Sequence, residues 1–127
     1  AEVLDALDAA SIRWGVISNK VERLVRPILA SLGVLERSVC AVGGDTTAFS
    51  KPHPEPLLHG ARLAGAHAAA CIYVGDDERD IAAGRAASMR TVAAAYGFCG
   101  EESPPHSWGA DALVEEPRDL LFLLSLR

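Results

Sequence analysis

Residues 69–91 read AACIYVGDDERDIAAGRAASMRT. A short apolar run, 70–74, ends at Gly75, and four acids then occupy five positions: Asp76, Asp77, Glu78 and Asp80. A small-residue helical stretch follows, with Ile81, Ala82, Arg85 and Ala86. Strand, tight acidic turn and helix together give the carboxyl-end geometry at which open parallel sheets keep their ligand sites. Carboxylates crowded there repel one another unless something positive sits among them, and hard oxygen ligands suit Mg²⁺. The bland alternative is a solvated helix N-terminus, where Asp and Glu are favourable anyway.

Outward from that stretch, the same alternation repeats. Residues 1–10 carry Val3, Leu4 and Leu7 at helical spacing. Residues 12–17 (IRWGVI) form an apolar strand ending in Ser18-Asn19-Lys20. The following helix, 21–32, places Leu24, Ile28, Leu29 and Leu32 on a stripe, with Gly33 where a C-cap belongs and Pro27 predicting a kink or two pieces. Residues 39–42 are a second apolar run, closed by Gly43-Gly44-Asp45. The prolines of KPHPEP (51–56) hold the next loop extended before a helix that ends near Gly65. Residues 91–95 read as a fourth strand, 96–109 as loop, 112–114 as an edge strand and 120–126 as a closing helix introduced by Pro117. Strands alternating with helices of about a dozen residues predict an α/β, Rossmann-like parallel sheet with helices on both faces. There is no internal repeat or linker, so 127 residues read as one domain.

Composition narrows the function classes. Half the residues are hydrophobic, which excludes a disordered chain. A net charge of −5 gives no electrostatic case for nucleic acid or an anionic membrane. No window holds the eighteen or so continuous apolar residues of a membrane span. Three scattered cysteines, Cys40, Cys71 and Cys99, show neither metal-ligand spacing nor a disulfide framework and fit a reduced cytoplasm. The chain opens inside an amphipathic helix without an initiating Met, as expected of a piece of something longer.

Three successive strand ends each carry a polar group: Ser18-Asn19, Lys51 after its loop, and the acids 76–80. In a parallel sheet those ends share one edge. A hydroxyl, an amide, an ammonium and carboxylates that can hold a metal suit a phosphate group, whose transfer needs mainly positioning and charge stabilisation. Taken singly, Ser18 could be a helix cap and Lys51 a solvated lysine; their common placement is what favours a site. His53, beside Lys51, reads as a solvated loop histidine, and Trp14 and Trp108 as packing residues.

These motifs resemble a known family. Ser18-Asn19-Lys20 after a strand, Lys51-Pro52 in KPHPEPLL, and Gly75 to Asp80 (GDDERD) are similar to motifs two, three and four of haloacid-dehalogenase-type phosphatases. The GGDT of residues 43–46 resembles the phosphoglycolate phosphatase branch; WGVISNK and the tail from Tyr96 to Asp111 resemble relatives that act on N-acetylmuramic acid 6-phosphate. The resemblance implies a Mg²⁺-dependent phosphomonoesterase for a small phosphorylated metabolite, working through an aspartyl-phosphate. It implies that Ser18 hydrogen-bonds a phosphoryl oxygen with the Asn19 amide beside it, that Lys51 balances charge on the phosphoryl group and the attacking carboxylate, that Asp76 ligates Mg²⁺ and that Asp80 orients Lys51 or a metal-bound water. Asp77 stands where relatives often have Ser and is expected behind the first contacts. Ser88 replaces a customary Gly, read as a packing position. The family's first motif, DxDGT, is absent; residues 4–8 (LDALD) have the wrong spacing. The resemblance therefore places the nucleophile, a metal ligand, the central strand and the cap outside this chain, leaving the sheet incomplete and the chain alone inactive. A receiver-like signalling module also uses acids, Ser/Thr and Lys at sheet ends, but with the acids first and Lys last, the reverse of the order here. A non-catalytic binding domain is the remaining alternative.

Overall fold

A computed structural model describes residues 2–97 and 104–124. Five helices, α1 (Glu2–Ala9), α2 (Glu22–Ser31), α3 (Glu55–Ala64), α4 (Glu78–Ala86) and α5 (Asp119–Leu123), alternate with five strands. The strands are β1 (Val16–Ile17), β2 (Ala41–Val42), β3 (Ile72–Gly75), β4 (Arg90–Ala94) and β5 (Ala112–Val114). Every pairing is parallel, as the alternation predicts. The sheet, however, is split: β1 pairs only with β2, while β3, β4 and β5 form a separate three-stranded sheet in that order. One edge of β1 and one edge of β3 are therefore left without a neighbouring strand, and a groove runs between them.

The halves are joined by a shared apolar layer. Leu57 and Ala61 of α3 pack with Ala83 of α4, Ala87 and Met89, and this cluster reaches Ile17 on β1 and Tyr73 on β3. Small residues let the layers approach: a Cβ at Gly84 would come within 2.5 Å of the Thr91 methyl, and one at Gly60 within 2.7 Å of Ile17 Cδ1. On the far side Val25, Leu29 and Ala41 make a second cluster, and Trp108 packs with Ile81 and Ala93 in a third.

Several boundaries and faces differ from the sequence reading. The strand expected over 12–17 is only Val16–Ile17, and that expected over 39–42 only Ala41–Val42. Pro27 neither kinks α2 into two helices nor ends it. The carbonyl it leaves without an N–H partner belongs to Arg23, which is exposed, so water can satisfy it. The buried face of α2 carries Val25 and Leu29; Leu24, Ile28 and Leu32 are 51%, 45% and 68% exposed. Two stripes at four-residue spacing lie side by side on this helix, and periodicity alone does not say which one meets β2. The six residues 98–103, with Cys99, and the end of the helix expected over 120–126 lie outside the described residues.

Ser88 corrects the packing reading. It sits just past the end of α4 at φ +64°, a left-handed conformation that costs an L-residue roughly 1–2 kcal/mol and glycine almost nothing. The customary glycine is thus a backbone requirement. Ser88→Gly is expected to stabilise the protein by about 0.5–1 kcal/mol after the extra unfolded-state entropy of glycine is offset. A thermal midpoint unchanged or lowered in that variant would refute this account.

The N-terminal helix is docked by polar contacts. Arg37 reaches Asp5 at 2.8 Å and Asp8 at 2.7 Å, and Trp14 Nε1 donates to Asp8 at 2.9 Å. The Trp14 hydrogen bond first, and Arg37 next, hold the Asp8 carboxyl below its ordinary 3.8. A carboxyl lowered in the fold stabilises it above its unfolded pKa and ceases to do so as pH falls through the lowered value. Acidification below pH 3.8 is therefore expected to move the Trp14 indole N–H resonance as α1 loosens, before global unfolding. An indole signal constant until the whole chain unfolds would count against it.

Candidate active site

The groove between the two sheets has a volume of about 480 Å³ and collects the predicted residues. Ser18 and Asn19 come from the end of β1, Lys51 from the loop after β2, Asp76 and Asp77 from the turn between β3 and α4, and Asp80 from the first turn of α4. Parallel strands joined by β–α–β connections bring these carboxyl ends to one side.

The acidic run divides its labour by position. Asp77 caps α4, its carboxylate accepting the Arg79 N–H at 2.9 Å and pairing with the Arg79 guanidinium; Arg79 lowers its pKa by the same hydrogen bonds. Asp80, 7% exposed, pairs with Lys51 Nζ at 2.5 Å through one oxygen and accepts the Asp76 N–H at 3.1 Å through the other. Asp76 stands exposed at the strand end and faces the groove, whereas Glu78 does not line it. Gly75 makes this fold-back possible, since a Cβ there would collide with Asp80 Cβ and lie 2.6 Å from its Cγ.

Lys51 is fixed from both ends. The Asn19 side chain grips its backbone, Nδ2 donating to Lys51 O at 3.2 Å and Oδ1 accepting Lys51 N–H at 3.1 Å. Asn19 lines the groove, and its side chain also holds the loop that carries Lys51. Ser18 Oγ accepts the Lys20 N–H at 3.1 Å, which leaves its proton and one lone pair for the groove. The GGDT turn clips both loops together. Gly44 N–H donates to Lys20 O at 2.6 Å, Asp45 accepts the Glu22 N–H at 2.7 Å, and Thr46 Oγ1 donates to Glu22 Oε1 at 2.7 Å.

Two groove residues escaped the sequence reading. Tyr73 on β3 bonds the Lys51 ammonium at 2.9 Å. Tyr96 lines the rim, its phenol pushed up in pKa by burial and then by Asp76. Tyr73 stands in an apolar run and carries no spacing signal. His53 stacks on Phe49 at 4.3 Å and accepts the Glu55 N–H through Nδ1, a loop-shaping role.

As a metal site the described residues are incomplete. No three His, Cys, Asp or Glu side chains among them converge. With Asp80 held by Lys51 and Asp77 by Arg79, Asp76 is the single groove carboxylate of the turn left for a hard cation.

A parallel α/β core that gathers Ser, Lys and carboxylates from its strand ends into one groove sets the class of fold. The haloacid dehalogenase-like hydrolase model matches residues 1–94, and the chain belongs to that family. It is 49% identical over 93% of its length to a phosphoglycolate phosphatase of Xanthomonas campestris pv. campestris, covering 53% of that protein. It is 42% identical over 97% of its length to an N-acetylmuramic acid 6-phosphate phosphatase of Pseudomonas aeruginosa, covering 54% of it. The crystal structure of a predicted phosphoglycolate phosphatase from Haemophilus somnus superposes with a TM-score of 0.89 at 28% identity, over 97% of this chain and 54% of that one. The chain thus spans about half the length of the relatives it matches.

Proposed function

We propose that this chain is the larger part of the core of a phosphomonoester hydrolase for a small phosphorylated metabolite, with 2-phosphoglycolate as the first candidate substrate. The supporting observation is the groove in which Ser18, Lys51, Asp76 and Asp80 meet between two unpaired strand edges. N-acetylmuramic acid 6-phosphate is the second candidate, on the strength of the Pseudomonas aeruginosa relative.

In this reading the Ser18 hydroxyl donates to a phosphoryl oxygen, and the Lys51 ammonium offsets charge on the phosphoryl group as it is attacked. Asp80 and the Asn19 side chain act through Lys51, one on its head and one on its backbone. Asp76 is one ligand for Mg²⁺, which would supply further charge neutralisation when bound. The nucleophilic carboxylate and the remaining metal ligands come from a strand outside this chain that pairs with β1 and β3. Substrate choice belongs to a cap outside it as well. In this reading the protein works in the cytoplasm, which suits its scattered, unpatterned cysteines, and its net charge of −5 gives no electrostatic case for nucleic acid or an anionic membrane as partner.

The test compares this chain with the open reading frame extended upstream to its natural start. Both are assayed for phosphate release from 2-phosphoglycolate and N-acetylmuramic acid 6-phosphate with and without Mg²⁺. Activity confined to the longer protein, and at least a hundredfold lower in its Asp76→Ala variant, is expected. A folded longer protein silent on both substrates and on a chromogenic phosphate ester would leave a binding or signalling module.

A further inference from the structure

We propose that Tyr73 is a positioning residue whose hydroxyl lets Lys51 release one N–H to an anion in the groove. This rests on the phosphatase reading above for its kinetic consequence, but its structural content does not.

An ammonium has three donors. All three of Lys51's are engaged: Asp80 Oδ1 at 2.5 Å, Tyr73 Oη at 2.9 Å and the Ile17 carbonyl at 3.2 Å. No hydrogen is left over, so an incoming oxygen has to replace one partner. Asp80 is the charge partner and the shortest contact, whereas the Ile17 carbonyl is neutral and the longest. Ile17 lies on β1, whose ladder to β2 runs through its neighbours: Val16 N–H to Cys40 O and Ser18 N–H to Val42 O. The Ile17 carbonyl consequently points to the unpaired side of the strand, into the gap.

A carbonyl stripped of its donor there would be left unsatisfied. Tyr73 prevents this, because its own O–H donates to the same carbonyl at 3.3 Å while its oxygen accepts from Lys51. Lys51 can then turn its third N–H from Ile17 to a substrate oxygen without orphaning either group. Burial chiefly, then the charges of Asp80 and Asp76, push the phenol's pKa up, so the hydroxyl keeps the proton it donates. Phenylalanine would supply the same packing and lack only the hydroxyl.

The sequence supplies its own control, since Lys20 and Lys51 are the two lysines and Lys20 is exposed. Limited acetylation with acetic anhydride, read by mass spectrometry as the Lys51:Lys20 ratio, is compared between the upstream-extended protein and its Tyr73→Phe variant. The ratio is expected to rise at least threefold in the variant, because the charged Lys51 ammonium loses a hydrogen-bond partner. In the same variant kcat falls about tenfold with KM changed less than twofold, and the thermal midpoint stays close to that of the parent.

An unchanged acetylation ratio overturns the proposal whether or not the protein proves to be a phosphatase. An altered ratio in a protein that hydrolyses no phosphate ester keeps the Tyr73–Lys51 contact and removes only the kinetic claim. Should Tyr73→Phe not fold, 3-fluorotyrosine labelling gives ¹⁹F signals that include those of Tyr73 and Tyr96, each assigned by its Tyr→Phe variant or by difference. Lys51→Met must shift the Tyr73 signal more than the Tyr96 one, and equal or absent shifts count against the contact.

Discussion

Replacing Asp80 by alanine is expected to lower the unfolding free energy by about 3 kcal/mol, the lower end of what breaking a buried ion pair costs. Lys51 and Asp80 are each only 9% exposed at the side chain and stand 2.5 Å apart. Removing the carboxylate leaves an ammonium with only neutral partners, Tyr73 and the Ile17 carbonyl, in a poorly solvated place. It also takes the acceptor from the Asp76 N–H, so the strand end loses its anchor. The loss therefore reaches beyond one pair. Asp77→Ala provides the comparison: that residue caps α4 at a more exposed position and should cost about 1 kcal/mol. Urea unfolding of both variants decides the matter. Equal losses would mean that Lys51 and Asp80 are not coupled as the geometry indicates. In the extended protein the Asp80 variant should also lose at least a hundredfold in kcat, because Lys51 is no longer held at the groove.

Gly44→Ala should be nearly as damaging, by about 3 kcal/mol, for a purely steric reason. A Cβ at Gly44 would strike the Asn19 carbonyl oxygen and come within 2.8 Å of its carbonyl carbon. Both are backbone atoms, so no rotamer change relieves the contact. Gly44 N–H also donates to Lys20 O at 2.6 Å, which ties the turn to the entrance of α2. Forcing these strands of chain apart moves Asn19, and Asn19 holds Lys51 by both backbone groups. Amide exchange at Lys51 is the direct readout, with protection expected to fall together with the thermal midpoint. Gly33→Ala is the contrast, since nothing stands within 4 Å of a Cβ there and only its φ of +73° is strained; it should cost about 1 kcal/mol. A Gly44 variant that melts like the Gly33 variant would remove the steric argument.

Both predictions concern residues whose chemistry was visible before their neighbours were. Asp80 was legible because strand, glycine, acids and small-residue helix follow one another without interruption. Ser18 and Lys51 were legible because each closes or follows an apolar run of strand length. Polar residues at strand ends of a parallel sheet must converge, since chain connectivity brings those ends to one side. The residues that hold them were harder to see. Asn19 reads as one more polar residue at a strand end, and only the tertiary structure brings its amide against the Lys51 backbone, 32 positions away. Tyr73 reads as an ordinary member of an apolar strand; its hydroxyl acquires a role because Ile17, 56 positions earlier, turns its carbonyl into the same gap.

Sequence alone thus determined the order of elements, the parallel α/β class and the polar strand-end residues, Ser18, Lys51, Asp76 and Asp80, that line one groove. Local periodicity and turn chemistry carry that much, because they depend on neighbours within a few positions. Tertiary structure decided that the sheet divides between β1 and β3, which face of α2 is buried, that Ser88 is bound by φ rather than by packing, and that Lys51 is held by Tyr73 and Asn19. Each of these depends on what lies across the fold from a residue, and distant partners leave no period in the chain.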